Sequence, residues 1–260
     1  MPSESQDKRL DGRRIIVTGA GRGIGEAIAL RLAAAGASLV CIDIDGRSAE
    51  STATKVGGLW CQVDVADEEQ VQAVLKHIGD SGPIDGLCNV AGIAGPQTLA
   101  ADTPVEDWDR THAVNLRGTF LMCKFALPFL VDSGGAIVNI ASALAHIGWR
   151  AEAAYGPTKA AVVQLTKSIA LDYAPVVRAN TVSPGAVLTP MIQQVIDETG
   201  DDPREYGRIH PLSGELLPPR AIADACLFLL SLDASFITGV DLPVDGGMLA
   251  IGRSTAELVN

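Results

Sequence analysis

The sequence predicts a single α/β domain built on a doubly wound, parallel β-sheet flanked by helices. Short β-branched runs alternate along the chain with longer helical patterns, as in repeated βα units. The short runs are almost continuously hydrophobic, which is typical of parallel strands that are buried on both faces. The 260 residues contain no fixed-period repeat and no linker rich in Pro, Ser or Gly, so one domain accounts for the chain.

The elements follow one another in a regular order. Seven strands are predicted, at 14–18, 38–43, 58–62, 86–90, 135–140, 178–182 and 241–244. Helices are predicted between them, at 25–35, 68–78, 116–130, 153–173 and 220–230. Residues 1–12 are predicted to be a polar extension and 13–260 the domain. The segment 188–219, with its five prolines and mixed charge, is predicted to be a substrate loop or lid.

Composition excludes several classes of function. The chain has 20 Lys and Arg against 31 Asp and Glu, a net charge of −11, whereas nucleic-acid binding needs clustered basic residues. Uncharged stretches such as 179–196 contain asparagine, glycine and proline, and no membrane span or signal peptide is predicted. The five cysteines form no C-x-x-C pair, which favours reduced thiols in a cytoplasmic protein. The four histidines show no metal-ligand spacing, so no metal site is predicted.

A glycine-rich turn, TGAGRGIG at 18–25, joins the first predicted strand to the first predicted helix. Glycines allow a backbone to approach a pyrophosphate closely, and a helix N-terminus supplies free N–H groups and partial positive charge. The position between strand and helix favours a dinucleotide-binding turn over an ordinary tight turn. The predicted contacts of this turn with a cofactor are made by Gly19, Arg22, Gly23, Ile24 and Gly25.

Asp43 closes the second predicted strand, where a carboxylate can accept both hydroxyls of an adenosine ribose and repel a 2′-phosphate. NAD is therefore predicted as the cofactor. Asp45 is an alternative for the same role, and Arg22 can contact a 2′-phosphate, so NADP is less favoured but not excluded. The predicted contacts with the adenosine half also include Ile44, Asp64 and Val65, although Asp64 can instead be a solvated turn residue.

Tyr155 and Lys159 are four residues apart on a predicted helix and therefore project from one face. A free phenol, with a pKa of about 10, is a poor base. A nearby ammonium and an oxidised nicotinamide are expected to lower that pKa, so that Tyr155 can take a proton from an alcohol. Ser142 follows the fifth predicted strand and can orient the substrate oxygen, or simply cap a turn. Asn115 can hold a proton-relaying water, or satisfy the helix backbone.

These residues, in this order, resemble the motif set of the short-chain dehydrogenase/reductase family. The matching residues lie between 14 and 247 and are Thr18-Gly-x-x-x-Gly-x-Gly25, Asn89-x-Ala91-Gly92, Asn115, Ser142, Tyr155-x-x-x-Lys159 and Pro184-Gly185. The resemblance implies a Rossmann-type domain with a seven-stranded parallel sheet, a homotetramer or homodimer, and hydride transfer between a secondary alcohol or ketone and a nicotinamide cofactor.

The resemblance also implies roles for individual residues. Asn115, Ser142, Tyr155 and Lys159 would form a catalytic tetrad, with the proton leaving through Tyr155, the nicotinamide ribose, Lys159 and a water on Asn115. Further cofactor contacts are implied for Asn89, Ala91, Gly92, Pro184, Gly185, the backbone of Val187 and the hydroxyl of Thr189. Two positions depart from the family pattern: Val90 stands where a second Asn is common, and Gly156-Pro157-Thr158 separates Tyr155 from Lys159. Because proline is tolerated in a first helical turn, the helix is predicted to begin near Tyr155.

The substrate side is less constrained by sequence. Leu144, His146, Trp149, Met191, Ile192 and Tyr206 are predicted to line it, which suggests an apolar or cyclic secondary alcohol; packing is the alternative role for such residues. One alternative function is an NADPH-dependent carbonyl or 3-ketoacyl reductase, motivated by Arg22, although the net charge of −11 disfavours docking to an acidic carrier protein. Another is a catalytically silent nucleotide-binding protein, which would be expected to lack a tetrad residue.

Overall fold

One seven-stranded parallel sheet forms the centre of the computed structural model, which describes residues 7–251. Its strands are β1 (Arg14–Thr18), β2 (Ser38–Asp43), β3 (Leu59–Gln62), β4 (Gly86–Asn89), β5 (Ala136–Ile140), β6 (Arg178–Pro184) and β7 (Asp241–Val244). Their order across the sheet is β3-β2-β1-β4-β5-β6-β7, and every neighbouring pair is parallel. The predicted fold class is confirmed. The order reverses between β1 and β4, where doubly wound sheets bind their ligands.

Nine α-helices occur within residues 7–251. They are α1 (Gly23–Ala34), α2 (Gly46–Val56), α3 (Glu68–Asp80), α4 (Val105–His112), α5 (Thr119–Ser133), α6 (Tyr155–Asp172), α7 (Pro190–Thr199), α8 (Pro203–Arg208) and α9 (Pro219–Leu230). A π-helical turn, Ala113–Gly118, joins α4 to α5, so the helix predicted at 116–130 begins later than expected. The predicted start of α6 at Tyr155 is confirmed.

Four of these helices were not predicted, and each carries a weak sequence signal. The buried face of α2 consists of small residues, among them Ala49 and Ala53, and α4 buries only Thr111. Little apolar periodicity is therefore visible in either segment. Two of the five prolines that suggested a loop at 188–219, Pro190 and Pro203, instead occupy the first turns of α7 and α8, where the missing N–H has no helical partner to lose.

Both faces of the sheet are buried by helices, as the hydrophobic strands predicted. On β1, Ile15 and Val17 belong to one apolar cluster, which they share with α1 and α9. Ile16 faces the other way, into a cluster with α3 and α5. All three side chains are at most 1% exposed. With both faces covered, the ends of the strands and their loops are left to form a site.

The helical stretch Val105–Ser133 is, by length and composition alone, apolar enough to cross a membrane. Half of its most apolar 18-residue window is buried in the fold. Leu121, Met122 and Leu130 of α5 lie in the cluster against the sheet, so packing accounts for the apolar composition.

The segment between β6 and α9 is held at both of its ends. The Leu188 N–H donates to the Leu217 carbonyl at 2.9 Å, and the Leu217 N–H donates to the Ala186 carbonyl at the same distance. His210, which is fully buried, accepts the Ala186 N–H at Nε2 and pairs through Nδ1 with the Glu215 carbonyl. The loop after β6 is thereby fixed at the carboxyl edge of the sheet, beside the glycine turn after β1.

Candidate active site

The glycine turn after β1 is packed too closely for side chains. A Cβ on Gly19 would lie 2.8 Å from the Ala91 nitrogen, and one on Gly25 would lie 2.0 Å from the Gly19 carbonyl oxygen. The Thr18 hydroxyl accepts the N–H groups of Val90 and Ala91 at 3.0 and 3.2 Å, which ties the ends of β1 and β4 together. No side chain within residues 7–251 caps the N-terminus of α1, so its N–H groups are available to an anion.

Asp43 faces this turn. Its Oδ2 accepts the Gly21 N–H at 2.9 Å and its Oδ1 accepts the Asp45 N–H at 3.0 Å. The Asp45 carboxylate points to α2 instead, where it accepts the Arg47 N–H at 3.1 Å and the Ser48 hydroxyl at 2.5 Å as the helix cap. The two candidate carboxylates thus have different surroundings, and only Asp43 contacts the glycine turn.

The other residues predicted to contact the adenosine half of the cofactor lie in the loops after β2 and β3. Ile44 is 64% exposed, Val65 is buried, and Asp64 accepts the Ala66 N–H in its own turn at 2.9 Å. Arg22, at the start of α1, is exposed. These positions border the same edge of the sheet as Asp43.

The loops after β4 and β6 close the other half of the cleft. The Asn89 side chain is buried and donates to Asn139 Oδ1 at 2.8 Å, so its amide holds β4 to β5 inside the fold. Thr189 caps α7 by accepting the Ile192 N–H. A Cβ on Gly23 would lie 3.3 Å from Thr189 Cγ2, so the β1 and β6 loops meet there. The other cofactor contacts predicted at the ends of β4 and β6 and in the loops that follow are Ala91, Gly92, Pro184, Gly185 and Val187.

Three members of the predicted tetrad lie beside one another. Ser142 lies two residues after the end of β5, and its Oγ accepts the Leu144 N–H at 3.1 Å. The Ser142 hydroxyl is close enough to the Tyr155 phenol to lower its pKa. Lys159 Nζ lies 5.5 Å from the centre of the Tyr155 ring and donates to the Ile140 carbonyl at 3.0 Å. The hydroxyl, phenol and ammonium therefore converge at the carboxyl ends of β4 and β5.

Asn115, the fourth member, lies in the π-helical turn. Its Oδ1 accepts the Ile93 N–H at 2.8 Å and its Nδ2 donates to the Ile93 carbonyl at 2.9 Å, which fixes the loop after β4. A Cβ on Gly92 would lie 3.1 Å from Asn115 Oδ1 and 3.6 Å from Lys159 Nζ, so the two side chains flank Gly92 together. π-helical turns occur frequently at functional sites.

Burial dominates the ionisation of the site. Burial, a lowering by Ser142 and a smaller raising by the nearby Glu152 charge together bring the pKa of the Tyr155 phenol to about 12. Burial also lowers the pKa of Lys159 to about 8. The expected lowering of the phenol pKa is therefore not achieved by the protein alone, because the desolvation of a buried phenolate outweighs its polar neighbours.

Comparison with known proteins assigns the chain to a family. A family model described as enoyl-(acyl carrier protein) reductase matches residues 19–249. The 2-(R)-hydroxypropyl-CoM dehydrogenase of Xanthobacter autotrophicus is 40% identical, over 92% of this chain and 99% of the relative. The chain is a short-chain dehydrogenase/reductase.

Other members of the short-chain dehydrogenase/reductase family are similar over nearly their whole length. The D-threitol dehydrogenase of Mycolicibacterium smegmatis is 39% identical, over 93% of this chain and 94% of the relative. The ligand-free aldohexose dehydrogenase of Thermoplasma acidophilum superposes with a TM-score of 0.87 at 36% identity, over 95% and 98% of the two chains. The family binds a nicotinamide cofactor, and the tight glycine turn with its uncapped helix fits a pyrophosphate.

A cavity of about 460 Å³ is lined by sequence neighbours of the tetrad, among them Gly156 and Ala160, and by none of the four tetrad residues themselves. Leu144 and Trp149, two of the predicted substrate contacts, lie on its wall. His146 is bonded through Nε2 to Asp241 at 2.7 Å, and the Tyr206 hydroxyl donates to Asp201 at 2.7 Å. Met191 and Ile192 lie in the first turn of α7, with Met191 exposed.

Sequence reasoning missed two polar residues close to the tetrad. Glu152 is three residues before Tyr155 and lines the cavity, and Gln97 is its neighbour from the loop after β4. Neither belongs to a recurring motif, so only the fold reveals them. Among residues 7–251, no group of His, Cys, Asp and Glu is arranged to hold a metal ion.

Gly19→Ala is expected to lower Tm more than Gly57→Ala, its matched control. Both glycines have left-handed backbones, with φ of 62° and 64°, so the conformational strain of alanine is similar in both variants. Gly57 has open space around it, whereas Gly19 would press on the Ala91 backbone. Thermal melts measure the difference. Equal losses of Tm would show that the turn has room for a Cβ and would contradict the close packing.

Glu152→Gln is expected to gain stability over wild type as pH rises. Burial raises the pKa of Glu152 from 4.5 to about 7, so folding favours the protonated acid. That contribution is full below the ordinary pKa and is lost as pH rises through the folded-state pKa. The Tm of Glu152→Gln minus the Tm of wild type should therefore increase between pH 4.5 and about 7. The exposed Glu50→Gln variant controls for the loss of one negative charge; a pH-independent difference would contradict the burial of Glu152.

Proposed function

We propose that this chain is an NAD-dependent dehydrogenase that interconverts secondary alcohols and ketones. The observation that carries the proposal is the convergence of Ser142, Tyr155 and Lys159 at the carboxyl end of β5. Gly19 to Gly25 would hold the cofactor pyrophosphate and Asp43 the adenosine ribose. When bound, the cofactor supplies the hydride acceptor and a positive charge near the phenol.

The chain's own residues position the alcohol and move its proton. Ser142, whose Oγ is oriented by the Leu144 N–H, donates a hydrogen bond from its hydroxyl to the substrate oxygen. Tyr155 acts as the phenolate: its Oη takes the proton from the substrate hydroxyl and becomes the neutral phenol. Lys159, held at the Ile140 carbonyl, places a positive charge beside that phenolate and so favours the form that accepts the proton. Asn115 keeps the loop after β4 in place through its two bonds to Ile93.

The preference for NAD over NADP is supported by the position of Asp43. Its carboxylate contacts the glycine turn, where an adenosine ribose would lie and where a 2′-phosphate would meet a like charge. The exposed Arg22 at the same turn supports the second candidate, an NADPH-dependent carbonyl or 3-ketoacyl reductase. Relatives named as dehydrogenases of hydroxypropyl-CoM and threitol support oxidation of a carbinol.

Assembly and compartment are part of the same proposal. We expect a homotetramer or homodimer, supported by the apolar side chain of Phe120, which is 45% exposed on α5. The segment 188–219 would act as a lid on the substrate. Cytoplasmic location is supported by five free cysteines, all of them buried except Cys61, which is partly buried.

The proposal is tested by recording the absorbance of reduced cofactor with purified protein, first with NAD and then with NADP. A panel of cyclic, aromatic and aliphatic secondary alcohols serves as substrate. Turnover with NAD that exceeds turnover with NADP is the expected result. Better turnover with NADP would favour the reductase, and cofactor binding without turnover of any alcohol would overturn the proposal.

A further inference from the structure

Two buried polar atoms beside the tetrad lack hydrogen-bond partners. Glu152 Oε2 and Gln97 Nε2 are each buried, and neither has a partner among residues 7–251. Buried side-chain polar atoms are nearly always hydrogen-bonded, so each exception calls for an explanation such as a bound group. Here one atom is an acceptor and the other is a donor, and Gln97 is close enough to affect the ionisation of Glu152.

The backbone holds both side chains at fixed positions. Thr98, next to Gln97, forms a parallel bridge with Glu152. The Glu152 carbonyl accepts the Gly156 N–H at 3.1 Å, which connects it to the first turn of α6. Ala151, immediately before Glu152, has a left-handed backbone with φ of 63°, a conformation that residues with a Cβ rarely adopt. Such local strain clusters at functional sites.

Glu152 lies near two phenols, that of Tyr155 in the tetrad and that of Tyr206 in the segment 188–219. Its charge acts on the phenol of Tyr155 and on that of Tyr206 in α8. It lies on the wall of the cavity, where the apolar neighbours include Leu99 and Ile147. The cavity therefore combines an apolar wall with two charged residues, Arg150 and Glu152.

We propose that Glu152 and Gln97 bind a second hydroxyl group of the substrate, so that the preferred substrate is a diol rather than a monohydroxy alcohol. The inference rests on the proposed dehydrogenase function. A hydroxyl group can both donate and accept: it would donate a hydrogen bond to Glu152 Oε2 and accept one from Gln97 Nε2. A monohydroxy alcohol leaves both atoms without a partner. The substrate is thus more polar than the apolar alcohol suggested by sequence.

The test compares cyclohexanol with cyclohexane-1,2-diol and cyclohexane-1,4-diol. The quantity measured is the ratio of kcat/KM for each diol to kcat/KM for cyclohexanol, with NAD, in wild type, Glu152→Ala and Gln97→Ala. We expect the better diol to exceed cyclohexanol by ~10–10²-fold in wild type, as for a hydrogen bond to a charged group. Each substitution should bring the ratio towards one, mainly through the KM of the diol.

Two further variants separate recognition from a structural role. Glu152→Gln keeps an acceptor oxygen at the same place, so it should retain part of the diol preference that Glu152→Ala loses. Leu99→Ala opens the apolar wall of the cavity and should change all three substrates in similar proportion. Both polar side chains act on one hydroxyl, so their effects should not add. The double variant Glu152→Ala with Gln97→Ala should therefore show the same ratio of kcat/KM for diol to cyclohexanol as either single variant.

Three outcomes would overturn the inference while leaving the dehydrogenase intact. These are a wild-type ratio near one, a ratio that neither substitution changes, and a ratio that Leu99→Ala changes as much as Glu152→Ala does. Each would mean that the pair is structural or binds only water. If no alcohol is oxidised, the proposed function fails instead. Calorimetry with NAD present then decides the inference: tighter binding of a diol than of cyclohexanol, lost in Glu152→Ala, supports it, and equal binding refutes it.

Discussion

Replacing Tyr155 by phenylalanine is expected to lower kcat for alcohol oxidation by at least ~10²–10⁴-fold, the usual effect of losing a general acid or base. The substitution removes Oη, the atom that takes the proton, and leaves the aromatic ring in place under Lys159. Since the ring keeps its packing, Tm and cofactor affinity should change little. Initial rates at saturating alcohol, together with calorimetric titration of the cofactor, measure both effects.

Tyr173→Phe is the matched control for this experiment. Tyr173 is partly buried at the C-terminal end of the same helix, α6, far along the chain from the tetrad. Loss of its hydroxyl should leave kcat at the wild-type value. A Tyr155→Phe enzyme with wild-type kcat, or an equal loss of kcat in both variants, would contradict the role given to Tyr155.

Asp43→Asn is expected to lower the ratio of kcat/KM with NAD to kcat/KM with NADP by ~10–10²-fold, the effect of losing hydrogen bonds to a charged group. The substitution removes the negative charge that would repel a 2′-phosphate and weakens the acceptor for the ribose hydroxyls. Asparagine keeps the shape of the aspartate side chain and an oxygen that can accept the Gly21 N–H. Initial rates with the two cofactors at a fixed alcohol concentration give the ratio.

Asp45→Asn removes the same charge two residues away and serves as the control. Asp45 caps α2, and asparagine caps a helix about as well as aspartate, so this variant should keep its stability and leave the cofactor ratio unchanged. A ratio that responds to Asp45→Asn and not to Asp43→Asn would assign the ribose to Asp45. If neither substitution changes the ratio, neither carboxylate determines the cofactor preference.

The sheet could be predicted from sequence because its strands carry their own signal. A strand buried on both faces is continuously apolar, and runs such as Arg14–Thr18 have no other good explanation. Helices such as α2 and α4 were missed because small and polar residues make up most of their surfaces. The two prolines that begin α7 and α8 are ambiguous in a sequence, since proline both starts helices and interrupts them.

The site could be predicted only where its chemistry is local in sequence. Tyr155 and Lys159 are one helical turn apart, so their shared face follows from spacing alone. Other contacts depend on the packing of distant segments. Asn115 bonds Ile93 across 22 positions, and Glu152 lies near Gln97 from the loop after β4. The raised pKa of Tyr155 likewise depends on burial, which spacing does not report.

The central claim is that this chain takes hydride from the carbinol carbon of a secondary alcohol. The most direct measurement uses an alcohol carrying deuterium at that carbon, incubated with NAD and purified protein, followed by mass spectrometry of the cofactor. One deuterium in the reduced cofactor and a ketone as product, both absent with Tyr155→Phe, is the predicted result. Ketone formed without deuterium in the cofactor, or intact alcohol beside bound NAD for every alcohol and diol tried, would contradict the claim.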